Sequence, residues 1–281
     1  MKRILKNIFW VPIVLLLVLT IWIMMNSPAK IINTTSHQGK LDLSQLNHQT
    51  VAKLTGEWQY YDHLMIKDID KSTKTEYVTI PHLFKSDNSY GIATYKLEIT
   101  GLNTEKLYGI KVTNEVCAYR LTVNGKDILK AGTVAYTKEK HQPEMKSKVG
   151  YFKPDEAGKA EILMEVSNFS YNYGGFWRSP FIGESDILSN YVAHQNNVEI
   201  LLFTSLLSLG VFFLGLFNIN HEFKPILYIS AISILFAIRI MLTNNRQFYD
   251  FIFNISWDVG TRAEFLTGYL CYQPLFYSSF R

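Results

Sequence analysis

Apolar runs and a long polar stretch alternate along this chain. One apolar run covers residues 8–25, two more cover 200–217 and 225–243, and a fourth begins near Phe265. About 20 apolar helical residues are needed to cross the roughly 30 Å core of a bilayer. The pattern therefore predicts a signal anchor or signal peptide in residues 1–26 and an α-helical membrane region over 198–281. The expected transmembrane helices are 198–218, 225–243 and 262–280.

Between these runs the apolar period is two, which is typical of strands with one buried face. The Asn124-Gly125 pair predicts a tight hairpin into residues 126–129, because both residues tolerate positive φ. Many short strands predict a β-sandwich over residues 49–190. Residues 27–48 are polar and rich in Asn and Gln, which is typical of a linker or short stalk. The alternating apolar sets are Ala93, Tyr95, Leu97 and Ile99; Cys117, Tyr119, Leu121 and Val123; and Ala160, Ile162, Met164 and Val166.

Charge indicates how the chain is oriented in the membrane. Lys2, Arg3 and Lys6 precede the first apolar run, so the positive-inside rule predicts a cytoplasmic N-terminus. Residues 27–195 are then extracytoplasmic and 218–224 cytoplasmic. The stretch 27–195 holds 20 Lys and Arg against 19 Asp and Glu, a balance that predicts no nucleic-acid partner.

The sequence carries no pattern that predicts catalysis. Cys117 and Cys271 lie in different parts of the chain, so no disulfide between them is expected. The chain has no His-Glu-x-x-His motif, paired-cysteine metal site, phosphate-binding loop or Gly-x-Ser-x-Gly elbow. We therefore expect no enzyme activity, no metal and no cofactor.

Several short segments, in order, carry a family resemblance. They resemble the successive landmarks of galactose-binding-like jelly rolls, and are Leu54-Thr-Gly-Glu-Trp-Gln-Tyr, Thr79-Ile-Pro, Gly91-Ile-Ala-Thr-Tyr-Lys and Val123-Asn-Gly-Lys. A Gly- and aromatic-rich segment from Tyr171 to Gly183 then closes the domain. After the membrane helices begin, Ile255-Ser-Trp-Asp-Val-Gly-Thr-Arg-Ala-Glu-Phe-Leu is similar to an outer loop turning into a helix. Together these segments resemble the bacterial seven-transmembrane receptors with diverse intracellular signalling modules.

That resemblance implies a jelly-roll sandwich outside the cytoplasm, seven receptor helices and a cytoplasmic output domain, often a diguanylate cyclase or histidine kinase. The chain shows about three such helices and no output domain, so we expect a receptor fragment. Its sandwich would bind a small-molecule or carbohydrate ligand or a partner, and its helices would contact membrane lipid; a homodimer is left open. The alternative is a membrane-anchored binding module without signalling. A glycosidase-like enzyme would need two carboxylates flanking a cleft, and the sequence offers no obvious pair.

The candidate ligand site is a loop near the end of the sandwich. Aromatic faces beside amide and guanidinium donors suit a sugar or another small ligand. The alternative is structural, with Phe176 and Trp177 closing the core and Arg178 at the lipid headgroups. The candidate ligand-binding residues are Asn168, Tyr171, Tyr173, Trp177 and Arg178.

Arg239 is the one arginine within the third apolar run. A guanidinium in lipid is costly. Two interpretations remain open, in which the side chain either reaches the outer interface or pairs inside the protein with Glu264.

Overall fold

The structure is a computed structural model. It describes residues 18–23, 25–70, 72–84, 89–219, 221–222, 224–243, 245–246 and 255–278. The chain divides into two compact units, one formed by Pro28–Tyr191 and another that includes the chain from Val192 onward. Most of the predicted signal segment 1–26 lies outside the described residues.

Short strands make up most of the first unit, as the period of two predicts. The described strands are β1 Lys30–Ser36, β2 Lys40–Asp42, β3 Thr50–Asp62, β4 Glu76–Ile80, β5 His82–Leu83, β6 Gly91–Thr100, β7 Tyr108–Val112, β8 Ala118–Val123, β9 Lys126–Ala131, β10 Lys148–Phe152, β11 Ala160–Asn168, β12 Gly175–Phe176 and β13 Phe181–Glu184.

Eleven of these strands form one sheet in the order β10-β7-β13-β3-β6-β11-β8-β9. Strands β1 and β4 add to β3, and β2 adds to β6, while β5 and β12 pair separately. All pairs are antiparallel except β1 with β3 and β2 with β6. Strands β9 and β10, at the two ends of the order, also contact each other. The sheet is therefore nearly closed and has a sandwich- or barrel-like form, as expected at the level of the β architecture.

The alternating strands bury one continuous core. The predicted inward sets on β6, β8 and β11 are fully or almost fully buried, with Tyr95, Leu121 and Met164 each at 0% exposure. The Asn124-Gly125 turn joins β8 to β9, and both residues adopt positive φ, at 49° and 75°. The predicted strands and hairpin are confirmed.

Residues 27–48 are not a linker. Strand β1 pairs in parallel with the first half of β3, from Lys30 opposite Thr50 to Ser36 opposite Gly56. The polar side chains of β1 are typical of a linker, but in the structure they form hydrogen bonds with the backbone of the neighbouring strand. Thr34 Oγ1, for example, donates to the Lys53 carbonyl at 2.8 Å. Gly56 has φ +100°, and a Cβ there would lie 2.4 Å from the Ser36 nitrogen. A glycine at position 56 is thus required for β1 to approach β3.

The described helices after the sandwich are α1 Ser185–Ile219, α2 Pro225–Leu242 and α3 Trp257–Ser278. By length and composition α1 and α2 are apolar enough to cross a membrane. Helix α1 begins directly after β13, 13 residues before the predicted start at 198. The prediction followed the apolar run, whereas residues 185–197 are helical but largely polar. Helix α2 has nearly the predicted bounds, and α3 begins five residues earlier than the predicted 262.

The sandwich unit should fold as a separate fragment. We expect residues 28–191 to give a β-type far-ultraviolet spectrum and to unfold cooperatively. The shorter fragment 41–183 should be less stable, because it lacks β1 and the buried side chains of Leu188 and Tyr191, which are 0% and 4% exposed. Urea unfolding of both fragments measures the difference. Equal midpoints would show that β1 and the start of α1 contribute nothing to the sandwich.

Candidate functional site

The predicted ligand loop contains a cluster of three aromatic rings. The ring centroids of Tyr171 and Trp177 are 5.7 Å apart, and Tyr173 lies 6.2 Å from each of them. The Tyr173 side chain is exposed and Trp177 is half-buried. The structure thus brings together the rings of three of the five predicted residues. Phe176 is fully buried against Trp58, with ring centroids 5.4 Å apart, so it closes the core as the structural alternative expected.

Asn168 has a structural role in this loop. Its side chain is buried, and Nδ2 donates to the carbonyls of Ser89 and Tyr171 at 2.8 and 2.7 Å. Its Oδ1 accepts from the backbone nitrogens of Ser170 and Tyr171. An Asn amide has two donor and two acceptor positions, and all four are used here. Asn168 therefore organises the loop, and its predicted contact with a ligand stays a prediction.

A buried carboxylate, Glu115, lies against the same loop. Its Oε2 accepts from the Trp177 backbone nitrogen at 2.6 Å and its Oε1 from the Arg178 nitrogen at 3.2 Å. The Glu115 side chain is 0% exposed, and burial raises its pKa to about 8, although the two backbone donors and the Arg178 charge act in the opposite direction. Arg178 itself is exposed. Sequence reasoning missed Glu115, whose only signal is a single acid in the short segment Thr113-Asn-Glu-Val-Cys before β8.

A separate cavity of about 260 Å³ lies where β3, β4, β5 and the start of β6 meet. Apolar walls come from Val78, Phe84 and Ile92. We call this cavity the acidic pocket. Its lining side chains with polar groups are Tyr60, Asp62, His63, Glu76, His82 and Tyr90.

Strand register assembles the acidic pocket. Tyr60 on β3 stands opposite Glu76 on β4 and opposite Tyr95 on β6, and directly opposed residues project to the same face of a sheet. Asp62 follows two residues after Tyr60 and therefore shares its face. The short strand β5 adds His82, whose ring centroid lies 5.1 Å from that of Tyr60.

Hydrogen bonds fix the polar groups of the acidic pocket. The Tyr60 hydroxyl donates to Asp62 Oδ1 at 2.8 Å, and His63 Nδ1 lies 3.0 Å from the same oxygen. His82 Nδ1 lies 3.0 Å from the Tyr95 hydroxyl. Burial lowers the pKa of His82, so this imidazole is neutral at pH 7. Burial and the Asp62 carboxylate together raise the pKa of Tyr60, which keeps its hydroxyl protonated.

Other candidate chemistry is sparse in the described part of the chain. No group of three or more His, Cys, Asp or Glu side chains there is placed to hold a metal ion. In the second unit, Arg239 Nη1 donates to the Glu264 carbonyl at 2.9 Å, while the Glu264 carboxylate pairs with Arg246. Interior pairing of Arg239 is thus observed, but with the backbone of Glu264 and not with its carboxylate.

Comparison with known proteins gives only distant likenesses. No family model matches the chain. No curated protein matches it. Solved structures similar to part of it include a GH2 beta-galacturonidase from Eisenbergiella tayi (14% identity, TM-score 0.35), a putative beta-galactosidase from Bacteroides fragilis (16%, 0.36) and a beta-glucuronidase from Faecalibacterium prausnitzii (12%, 0.35). These matches cover 48%, 47% and 47% of this chain and 24%, 22% and 31% of those chains. The values are too low to assign an activity to this chain.

Proposed function

We propose that the chain is part of a bacterial membrane sensory receptor whose sandwich, a galactose-binding-like jelly roll, lies outside the cytoplasm and binds a small ligand. Binding would be relayed through the transmembrane helices to an output domain. The proposal does not include catalysis. A ligand with different affinities for two helix arrangements shifts their populations, and this difference is the whole source of the signal.

One observation carries the proposal: helix α1 belongs to both units. Its first turns are part of the sandwich unit, where Leu188 is fully buried and the Phe181 and Tyr191 rings lie 5.8 Å apart. The Tyr151 hydroxyl also lies 2.8 Å from Ser189 Oγ. From Val192 onward the same uninterrupted helix belongs to the second unit and is apolar enough to cross a membrane. A passive tether needs no helix shared by both units, so this continuity favours a receptor over an anchored module.

Single-cysteine labelling of the full chain in intact cells tests the orientation. With Cys117 and Cys271 replaced by serine, we introduce one cysteine at Lys126 or at His221, both of which are exposed. An impermeant maleimide should label the Lys126→Cys chain in intact cells and the His221→Cys chain only after permeabilisation. The opposite pattern would place the sandwich in the cytoplasm and overturn the proposal.

The same variants separate a receptor from an anchor. In membranes, a relay predicts that sugars which stabilise the chain also change the labelling rate of the cysteine at position 221. An insertion of two glycines after Val192, which interrupts helix α1, should preserve binding and abolish that change. A labelling rate that stays constant while sugars bind would identify an anchored binding module without signalling.

A further inference from the structure

We propose that the acidic pocket is the ligand site of the sandwich, and that it takes a hydroxyl-rich ring of monosaccharide size that carries no negative charge. This inference rests on the proposed binding function, but it does not depend on signalling. It also moves the expected site away from the aromatic cluster of Tyr171, Tyr173 and Trp177.

Size is the first argument. Pockets for drug-sized ligands occupy about 300–1,000 Å³, and the acidic pocket has about 260 Å³. A single sugar ring suits this space, whereas a longer chain would extend into solvent.

Charge is the second argument. Among the described residues that line the pocket are the carboxylates of Asp62 and Glu76, and none of these described residues is a lysine or an arginine. Burial lowers the pKa of His82, so this imidazole is neutral at pH 7 and adds no positive charge to the pocket. An anionic ligand would meet two like charges, of which Glu76 is paired with the exposed Lys74 through one oxygen, Nζ to Oε1 2.8 Å, and like charges brought together in a partly desolvated site repel. Neutral and cationic ligands meet no such penalty.

Hydrogen-bonding capacity is the third argument. Asp62 Oδ1 already accepts the Tyr60 hydroxyl, and Glu76 Oε1 lies 2.8 Å from Lys74 Nζ. In the described part of the chain the second oxygen of each carboxylate has no protein donor, and the two side chains are 56% and 53% exposed. Ionised carboxylates only accept hydrogen bonds, so the ligand must supply several O–H or N–H donors.

The apolar walls complete the match. Phe84, Val78 and Ile92 line the acidic pocket together with the Tyr90 ring, which is half-exposed. A sugar ring presents C–H faces and an equatorial rim of hydroxyl groups. Such a molecule can place its C–H faces on these walls while its hydroxyl groups reach the carboxylates.

The test uses three sugars of one ring type that differ in charge. Glucose is neutral, glucosamine carries a positive charge and glucuronate a negative charge; the galactose series is run in parallel. The full chain is held in lipid nanodiscs, because detergents with sugar headgroups would compete for the site. Calorimetry and thermal shift then measure binding, since a ligand at about 100 times its Kd raises the melting temperature by several degrees. We expect the neutral sugar and the amino sugar to bind and the uronate to be at least about 10-fold weaker.

Substitutions then locate the site. Asp62→Asn and Glu76→Gln preserve shape and remove charge, so each should weaken the amino sugar by about 10-fold or more and reduce the discrimination against the uronate. The matched control Glu156→Gln changes an exposed acid outside the acidic pocket and should leave both quantities unchanged. Melting of each variant without sugar verifies that it is folded.

Three outcomes would overturn the inference. They are equal or tighter binding of the uronate, no binding of any of the sugars with a Kd below about 10 mM, and binding that survives Asp62→Asn and Glu76→Gln but is lost in Trp177→Ala. The last outcome would return the site to the aromatic cluster. If the sugars do not bind but the maleimide labelling is as expected, the proposed orientation of the receptor still holds. If the sugars bind but the labelling is reversed, the proposed ligand site still holds.

Discussion

Replacing Trp58 with alanine should lower the free energy of unfolding of the sandwich by about 3–5 kcal/mol. The indole is 0% exposed and packs edge-on against Phe176, with ring centroids 5.4 Å apart. Removing it leaves a cavity next to the two-stranded sheet of β5 and β12, in addition to the lost transfer free energy of the buried ring. Denaturant unfolding of the 28–191 fragment measures the change through the midpoint at constant m-value.

Two further variants make the Trp58 result specific. In the described structure the Trp58 Nε1 is buried without a hydrogen-bond partner, so Trp58→Phe removes no observed hydrogen bond and should cost less than Trp58→Ala. Tyr77→Ala truncates an exposed ring on the adjacent strand β4 and should change stability by no more than about 0.5 kcal/mol. Similar losses in Trp58→Ala and Tyr77→Ala would contradict the assignment of Trp58 to the core.

Glu115 should make the sandwich lose stability as the pH rises toward 8. Its pKa is about 8 in the folded state because burial favours the neutral acid, against about 4.3 in an unfolded chain. Folding therefore takes up a proton. The stabilisation is fully present below the unfolded pKa and is lost as the pH rises through the folded pKa. The total loss in the free energy of unfolding is on the order of 5 kcal/mol.

Between pH 6.5 and 8 the effect of Glu115 on stability can be measured apart from that of His141, which changes stability with pH in the opposite direction. Burial lowers the pKa of His141 to about 4, so that group costs stability only as the pH falls below its unfolded value of about 6.5. Between pH 6.5 and 8 we expect a loss of about 2 kcal/mol from Glu115. Glu115→Gln, whose amide oxygen still accepts a backbone N–H, should remove this slope in urea titrations, whereas Glu156→Gln should retain it. An unchanged slope in Glu115→Gln would show that the carboxyl group titrates normally.

Alternation of side chains explains how much of the sandwich could be predicted. Strands β6, β8 and β11 place one apolar residue in every two against the core, and Asn124-Gly125 marks its own turn, so local sequence determines them. Strand β1 carries Asn33, Thr34 and Thr35 in place of an apolar face. It is held by parallel pairing with a strand 20 positions away in the chain, as with Lys30 opposite Thr50, and no local pattern encodes that pairing.

The acidic pocket was missed for a related reason. Asp62 and Glu76 come together because Tyr60 stands opposite Glu76 across β3 and β4, and such a register is set by packing of both faces and not by the spacing of two acids. The aromatic cluster was found because Tyr171, Tyr173 and Trp177 are neighbours in sequence. Glu115 contacts that cluster's backbone from about 60 residues away, so the sequence placed it in no site.

Strands β9 and β10, the two end strands of the sheet, lie against each other. A free edge strand exposes unpaired N–H and C=O groups that can template pairing with another molecule. At Gly150 on β10, a Cβ would lie 2.4 Å from Ile128 Cγ2 on β9, so the absence of a side chain at this position is what allows the two end strands to meet. A side chain at position 150 would have to displace Ile128 and Leu129 on β9, and if the two strands parted there, both of their backbone edges would be open to intermolecular β-pairing.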